Sequence, residues 1–116
     1  RITDENAKVS FLNKDHEVLN YPNKITTKDF DGWVQERGLY FPNKWANEFS
    51  PVLSFQENGD DPMEGSLLVA KYGEGYYMYT GLSFFRELPA GVSGAYKLLT
   101  NMISIGQNEL EQDIKE

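Results

Sequence analysis

Three segments of the second half of the chain have hydrophobic patterns typical of β-strands: the first alternates between two faces, and the second is a strongly apolar run. The segments are Pro51 to Glu57, Gly65 to Tyr72 and Tyr77 to Leu82. The turn-forming residues Asn58 to Pro62 separate the first two, and two glycines separate the last two. Because connections this short cannot cross over to a parallel partner, the pattern predicts a meander of antiparallel strands.

The first half of the chain gives weaker periodic signals. Alternation over about 7–12 predicts a first strand. Thr26 or Thr27 is placed to cap a single helical turn that Gly32 ends. Alternation over about 34–40, stopped by Pro42, predicts a further strand. The turn-rich loop between the first strand and the helical turn has three expected buried points, Val18, Leu19 and Ile25.

A C-terminal helix is predicted over 92–105, with Gly106 as its C-cap. Its apolar residues recur at helical spacing and should cover one face of the sheet: Ala95, Leu98, Leu99, Met102, Ile103 and Ile105. The fold class is therefore α/β or α+β, a mostly antiparallel sheet packed by a C-terminal helix. We expect one domain over residues 1–106 and a polar, frayed tail over 107–116.

Composition excludes several classes of partner and chemistry. The 116 residues carry a formal net charge of -7, which disfavours nucleic acid and anionic membrane surfaces as partners. The apolar run Leu67 to Ala70 is far too short to cross a bilayer. Without cysteine there is no disulfide, thiolate nucleophile or zinc-thiolate site. Arg1 starts no basic and apolar leader, which suggests a boundary within a longer protein.

Few residues are candidates for catalysis or metal binding. His16 is the one histidine, and in a turn-rich loop it is expected to pack structurally. Gly73 and Gly75 flank an acidic residue and make a poor phosphate cradle. No metal-binding spacing is present, so we expect no metal or cofactor in this chain. One acidic cluster has oxygen ligands that calcium prefers, but a solvated hairpin tip is the favoured interpretation: Glu57, Asp60, Asp61 and Glu64.

A polar group between aromatic residues contains Asp29, Asp31, Glu36 and Arg37. Glu36 or Asp31 could pair with Arg37 or with the distant Arg86, and a structural ion pair is favoured over a binding site. Two carboxylates are also compatible with glycosidase chemistry, although an acidic chain offers many such pairs. An enzyme acting through Glu36 or Asp31 is the last-ranked hypothesis.

Aromatic residues make up 14% of the chain, and exposed aromatic rings can stack on sugars. Core packing is the competing interpretation of the same residues. A carbohydrate-binding surface near Trp45 or Phe84 therefore remains an alternative function. The candidate ligand-binding residues are Glu36, Arg37, Tyr40, Trp45, Phe84 and Arg86.

Three segments carry a resemblance to a known family: Trp33 to Pro42, Gly65 to Gly73 and Tyr79 to Gly91. They resemble the C-terminal region of bacterial PIG-L (LmbE-like) deacetylases. More distantly, the order of elements is similar to the distal half of ThuA-like, class I glutamine amidotransferase-like domains. The resemblance implies a partial amidotransferase-like fold.

The chain departs from both families at their reactive centres. The Ala-His-Pro-Asp-Asp type of metal motif and the amidotransferase cysteine are both absent. The resemblance therefore implies a non-catalytic accessory domain of a zinc-dependent N-deacetylase that acts on N-acetylated sugars. Its expected partners are other domains of the parent chain, a glycan or further copies, and the family implies a periplasmic or secreted location.

Overall fold

The computed structural model of the protein describes residues 2–4 and 6–106. The strands of this part are β1 (Lys8–Phe11), β2 (Ser50–Pro51), β3 (Leu53–Gln56), β4 (Leu67–Tyr72) and β5 (Gly75–Thr80). Its helices are α1 (Phe84–Glu87) and α2 (Ser93–Ile103), and two 3-10 turns span Glu17–Leu19 and Thr27–Phe30. The expected tail over 107–116 lies outside the described residues.

The strands form two small antiparallel sheets that meet at Val52. One sheet pairs β1 with β3, and the other has the order β2-β4-β5. The backbone N–H of Val52 donates to Leu67 on β4 at 3.1 Å, while its carbonyl accepts from Leu12 beyond β1 at 2.9 Å. The predicted strand over 51–57 is therefore divided at Val52, so that its two parts join different sheets. Only the part before Val52 pairs with β4, so the predicted meander of three full strands is wrong at its first strand. The expected α+β fold, with a mostly antiparallel sheet and a C-terminal helix, is confirmed.

One apolar core lies between the sheets, the 3-10 turns and α2. Phe30 is at its centre, with ring centroids 5.3 Å from Trp33 and 5.5 Å from Phe55. Thr26 caps the turn that carries Phe30, as predicted, in a capping box with Asp29. The core also contains the predicted loop and helix positions: Val18, Leu19, Ile25, Ala95, Leu98 and Met102.

The predicted strand over 34–40 is wrong. Gln35 and Tyr40 have left-handed backbone conformations, with φ of 65° and 56°, and an extended strand cannot continue through them. Within the described residues of this segment, Gly38 alone makes β-bridges, to Ile2 and to Leu82. The residue types do alternate along this segment. Because the backbone turns at Gln35 and at Tyr40, however, the side chains do not fall on two opposite faces as they would in a strand.

The C-terminal helix is confirmed with shorter bounds, Ser93–Ile103 instead of 92–105. It was expected to cover a face of the sheet, but its main packing partners are the two 3-10 turns. Ile103, predicted to be buried, is 77% exposed. The C-cap is Ser104 and not Gly106 as predicted. Gly106 lies two residues further on with φ 87°, and its N–H donates to the carboxylate of Glu17 at 2.6 Å. The four-residue α1 was not predicted, because a single turn carries no periodic signal. In the described part of the chain, none of the helices is long and apolar enough to span a membrane.

Candidate functional site

Five aromatic side chains with exposed rings form what we call the aromatic surface: Tyr40, Tyr72, Tyr77, Tyr79 and Phe85. Tyr77 and Tyr79 alternate along β5 and are paired with Ala70 and Leu68 on β4. Because directly opposed residues of an antiparallel pair project to the same face, these tyrosines share one face of the sheet. Tyr72 lies on that face too, with its ring 5.5 Å from the ring of Tyr77. None of these strand positions carries a charge.

Tyr40 stands at one end of this surface and is 84% exposed. Its φ of 56° is a conformation that tyrosine rarely adopts, since the Cβ atom crowds the backbone there. The hydroxyl of Tyr79 donates a hydrogen bond to the Tyr40 carbonyl and fixes this turn on β5. The turn is thus hydrogen-bonded to β5 while Tyr40 itself stays exposed to solvent.

Phe85 lies on α1 and is 60% exposed. The guanidinium of Arg86 lies 4.9 Å from the centre of its ring. Arg86 in turn forms an ion pair with Glu36 through its Nε atom, and the two side chains are 39% and 9% exposed. This series of contacts fixes Phe85 and places a neutralised charge pair beside it.

Tyr40 and Phe85 both line a groove of about 260 Å³. Its lining includes the end of β5 and the two residues that follow, where Gly81 approaches the backbone of Leu39. A Cβ atom on Gly81 would overlap the Leu39 carbonyl oxygen and lie 2.8 Å from the ring of Phe41, so glycine is required here. The lining residues include no Asp, Glu, Lys or Arg: Leu39, Tyr40, Tyr79, Thr80, Gly81, Leu82 and Phe85.

The structure brings some of the predicted ligand-binding residues together and separates others. Glu36, Tyr40 and Arg86 lie at or beside the groove. Arg37 is only 5% exposed and donates to the carbonyls of Phe30 and Ala7, so its role is structural.

Phe84 and Trp45 do not line the groove. Phe84 is half-buried and packs on Trp33, with ring centres 6.1 Å apart. Trp45 is half-buried in the segment before β2.

Two fully buried polar side chains, Glu87 and Asn101, connect helices to distant loops. Glu87 is fully buried and accepts hydrogen bonds from the backbone of Val34 at 2.6 Å and the hydroxyl of Ser83 at 2.9 Å. Asn101 is also fully buried and bonds the backbone of Val18 and Asn23. These contacts connect α1 and α2 to irregular segments far away in the sequence.

His16 also has a structural role. Its Nδ1 atom accepts a hydrogen bond from the backbone N–H of Val18 at 3.1 Å and caps the first 3-10 turn. Burial lowers the pKa of His16, and the negative charge of Glu17 partly offsets that effect.

The acidic cluster does not form a metal site in the part of the chain that the structure covers. There, no group of three acidic or histidine side chains is arranged to hold a metal ion. Glu57 instead accepts hydrogen bonds from the backbone of Thr3 at 2.6 Å and Asp4 at 2.9 Å. It attaches the N-terminal segment to the end of β3.

Four members of the aromatic surface were absent from the residues chosen by sequence: Tyr72, Tyr77, Tyr79 and Phe85. Two features could have indicated them. The period-two tyrosines of β5 suggest one shared face, and the continuous apolar run of β4 suggests a strand covered on both faces.

Comparisons of the chain with protein-family models, curated proteins and solved structures gave no match.

Proposed function

We propose that this domain is a non-catalytic accessory module that binds carbohydrate through its aromatic surface. The observation that carries the proposal is the set of exposed aromatic residues that includes Tyr40 and Phe85, both of which line one groove. Exposed aromatic rings of this kind stack on the C–H faces of sugars, and each ring buries a large apolar area when covered.

The bonding of the ionisable groups supports a binding role over a chemical one. The carboxylates of Glu87 and Glu57 accept hydrogen bonds from distant backbone N–H groups. The imidazole of His16 caps a turn, and Glu36 pairs with Arg86. A side chain that is already bonded in this way holds the fold, and it is poorly placed to transfer a proton to a substrate.

The parent protein belongs to the same proposal. Two segments, residues 33–42 and 79–91, resemble PIG-L-type proteins. This resemblance supports a parent protein that deacetylates N-acetylated sugars. The metal chemistry would then reside in another domain of that parent. This domain would hold the glycan close to the catalytic centre.

A second candidate function is docking onto another domain of the parent chain through the same surface. The observation that favours it is the uncharged outer face of β4 and β5, where Tyr72 is 71% and Tyr77 is 61% exposed. Tyrosine is enriched in protein interfaces, and charged residues are depleted at interface cores.

The test is affinity electrophoresis of the chain through gels that contain neutral polysaccharides. We expect retardation of the wild-type chain and loss of retardation when Tyr40, Tyr77 and Phe85 are together replaced by alanine. Tyr96→Ala is the matched control, because Tyr96 lies on α2 and is 49% exposed. If no neutral polysaccharide retards the chain, docking onto the parent replaces carbohydrate binding.

An activity assay tests the non-catalytic part of the proposal. We expect no hydrolysis of N-acetylglucosamine derivatives by this chain. Hydrolysis that disappears in the Glu36→Gln variant would overturn it.

A further inference from the structure

We infer that the groove lined by Tyr40 and Phe85 is a subsite for a single neutral pyranose ring, which stacks on Tyr40 and accepts hydrogen bonds from Arg86. This inference rests on the proposed carbohydrate-binding function and names the class of sugar and the residues that hold it. Three features of the groove support it: the conformation of Tyr40, the size of the groove and its charge.

The backbone conformation and exposure of Tyr40 indicate that its ring binds a ligand. Glycine and asparagine adopt a φ of 56° with less strain than tyrosine does. With 84% of the residue exposed, packing within the domain does not account for a tyrosine here. Strained residues of this kind cluster at ligand sites, where the surrounding structure holds them in place. The hydrogen bond from Tyr79 provides that support.

The size of the groove suits one sugar ring. Its volume is about 260 Å³, below the roughly 300–1,000 Å³ of pockets that enclose drug-sized molecules. The remainder of a glycan chain would extend from the groove across Tyr79 towards Tyr77.

The charge of the site favours a neutral sugar. The lining residues carry no formal charge, and the guanidinium of Arg86 is compensated by Glu36. The chain as a whole carries -7, which repels uronic acids and sulfated glycans. With 39% of its side chain exposed, Arg86 can still donate hydrogen bonds to sugar hydroxyls. Arg86 can therefore orient a sugar through hydrogen bonds, and because its charge is compensated by Glu36, it does not favour an anionic sugar.

Isothermal titration calorimetry tests the subsite with three probes: a trimer of N-acetylglucosamine, a hyaluronan tetrasaccharide and a decaproline peptide. We expect the wild-type chain to bind the neutral trimer more tightly than the acidic tetrasaccharide. Glu36→Gln leaves Arg86 uncompensated, so this variant should gain affinity for the tetrasaccharide, and the gain should disappear at high salt. Tighter binding of decaproline than of the trimer overturns the sugar assignment in favour of peptide docking.

Tyr40→Gly is the decisive variant. We expect its affinity for the trimer to fall at least about tenfold, while its melting temperature stays level or rises because glycine relieves the backbone strain. Unchanged affinity in Tyr40→Gly overturns the subsite. If Tyr77→Ala then weakens binding, carbohydrate binding stands but occurs elsewhere on the aromatic surface. If the wild-type chain binds neither glycan at millimolar concentration, both the subsite and the carbohydrate-binding function are wrong.

Discussion

The hydroxyl of Tyr79 donates a hydrogen bond to the backbone carbonyl of Tyr40, and this contact joins β5 to the segment that projects the most exposed ring of the domain. The bond connects residues 39 positions apart and holds a backbone conformation that is unfavourable by itself. The position of the Tyr40 ring therefore depends on Tyr79.

Tyr79→Phe removes this hydrogen bond and keeps the aromatic ring. We expect the free energy of unfolding to fall by about 0.5–1.5 kcal/mol and the affinity for a neutral glycan to fall severalfold, because the Tyr40 turn loses its support. Urea unfolding and calorimetry measure the two effects. Tyr77→Phe is the matched control on the same face of β5, and it should leave the stability within about 0.5 kcal/mol of wild type. Equal effects of the two variants would contradict the supporting role of Tyr79.

The position of α2 depends on Gly94, which contacts the 3-10 turn Thr27–Phe30. A Cβ atom at Gly94 would overlap the carbonyl of Asp29, which also accepts a hydrogen bond from the indole of Trp33 at 2.9 Å. In an open helix, Gly→Ala stabilises by about 1 kcal/mol. Here we expect Gly94→Ala to destabilise by about 1–3 kcal/mol, since the helix must move away from the turn. Thermal unfolding measures this change. Ser93→Ala, at the exposed position beside it, should change stability by less than about 0.5 kcal/mol.

Asn101 attaches the loop around Asn23 to α2. Its amide donates to the carbonyls of Val18 at 2.8 Å and Asn23 at 2.7 Å, and its side-chain oxygen accepts from the Asn23 N–H at 2.9 Å. Asn101→Ala leaves these groups unpaired, so we expect a loss of about 2–4 kcal/mol in the free energy of unfolding. Chemical denaturation measures it, with the exposed Asn43→Ala as control. A loss no larger than that of the control would mean that the loop does not depend on this residue.

His16 makes stability depend on pH. Because burial lowers its pKa in the folded state, the unfolded chain binds the proton more readily. The contribution of His16 is therefore fully present above the unfolded pKa of about 6.5 and is lost as the pH falls from there through the lowered folded pKa. Protonation of Nδ1 would also remove the acceptor for the Val18 N–H.

The variant His16→Asn separates this effect from the titration of other groups. Asparagine can accept the same capping hydrogen bond and does not titrate. Urea unfolding at about pH 7.5 and about pH 5.5 should show a larger loss of stability on acidification for wild type than for the variant. The same loss in both proteins would contradict a role for His16.

The regular elements followed from the sequence because their patterns are local. The turn chemistry between the strands and the apolar spacing of α2 do not depend on distant contacts. The strand expected over 34–40 failed because its conformation is set by distant partners. Gly38 packs against the carbonyl of Gly81, and Tyr79 fixes Tyr40. A residue in isolation gives no sign that tertiary contacts will place it in the left-handed region.

The sequence predicted the type of candidate site, an aromatic surface, but only some of the residues that form it. Aromatic content suggested a stacking surface, and Tyr40 was named for it. Trp45 and Phe84 could not be distinguished from Phe85 by sequence, because the four-residue α1 decides which phenylalanine faces the core. The pairing of Glu36 with Arg86 was among the alternatives, and the structure selects it over a pair with Arg37.

The most direct test of carbohydrate binding at the groove is NMR mapping of the N-acetylglucosamine trimer on the isotope-labelled chain. If the trimer binds in the groove, backbone shifts on titration should concentrate at Tyr40, Gly81, Leu82 and Phe85, with weaker shifts at Tyr77 and Tyr79. Shifts confined to α2 and the 3-10 turns, or no shifts at saturating trimer, would contradict it.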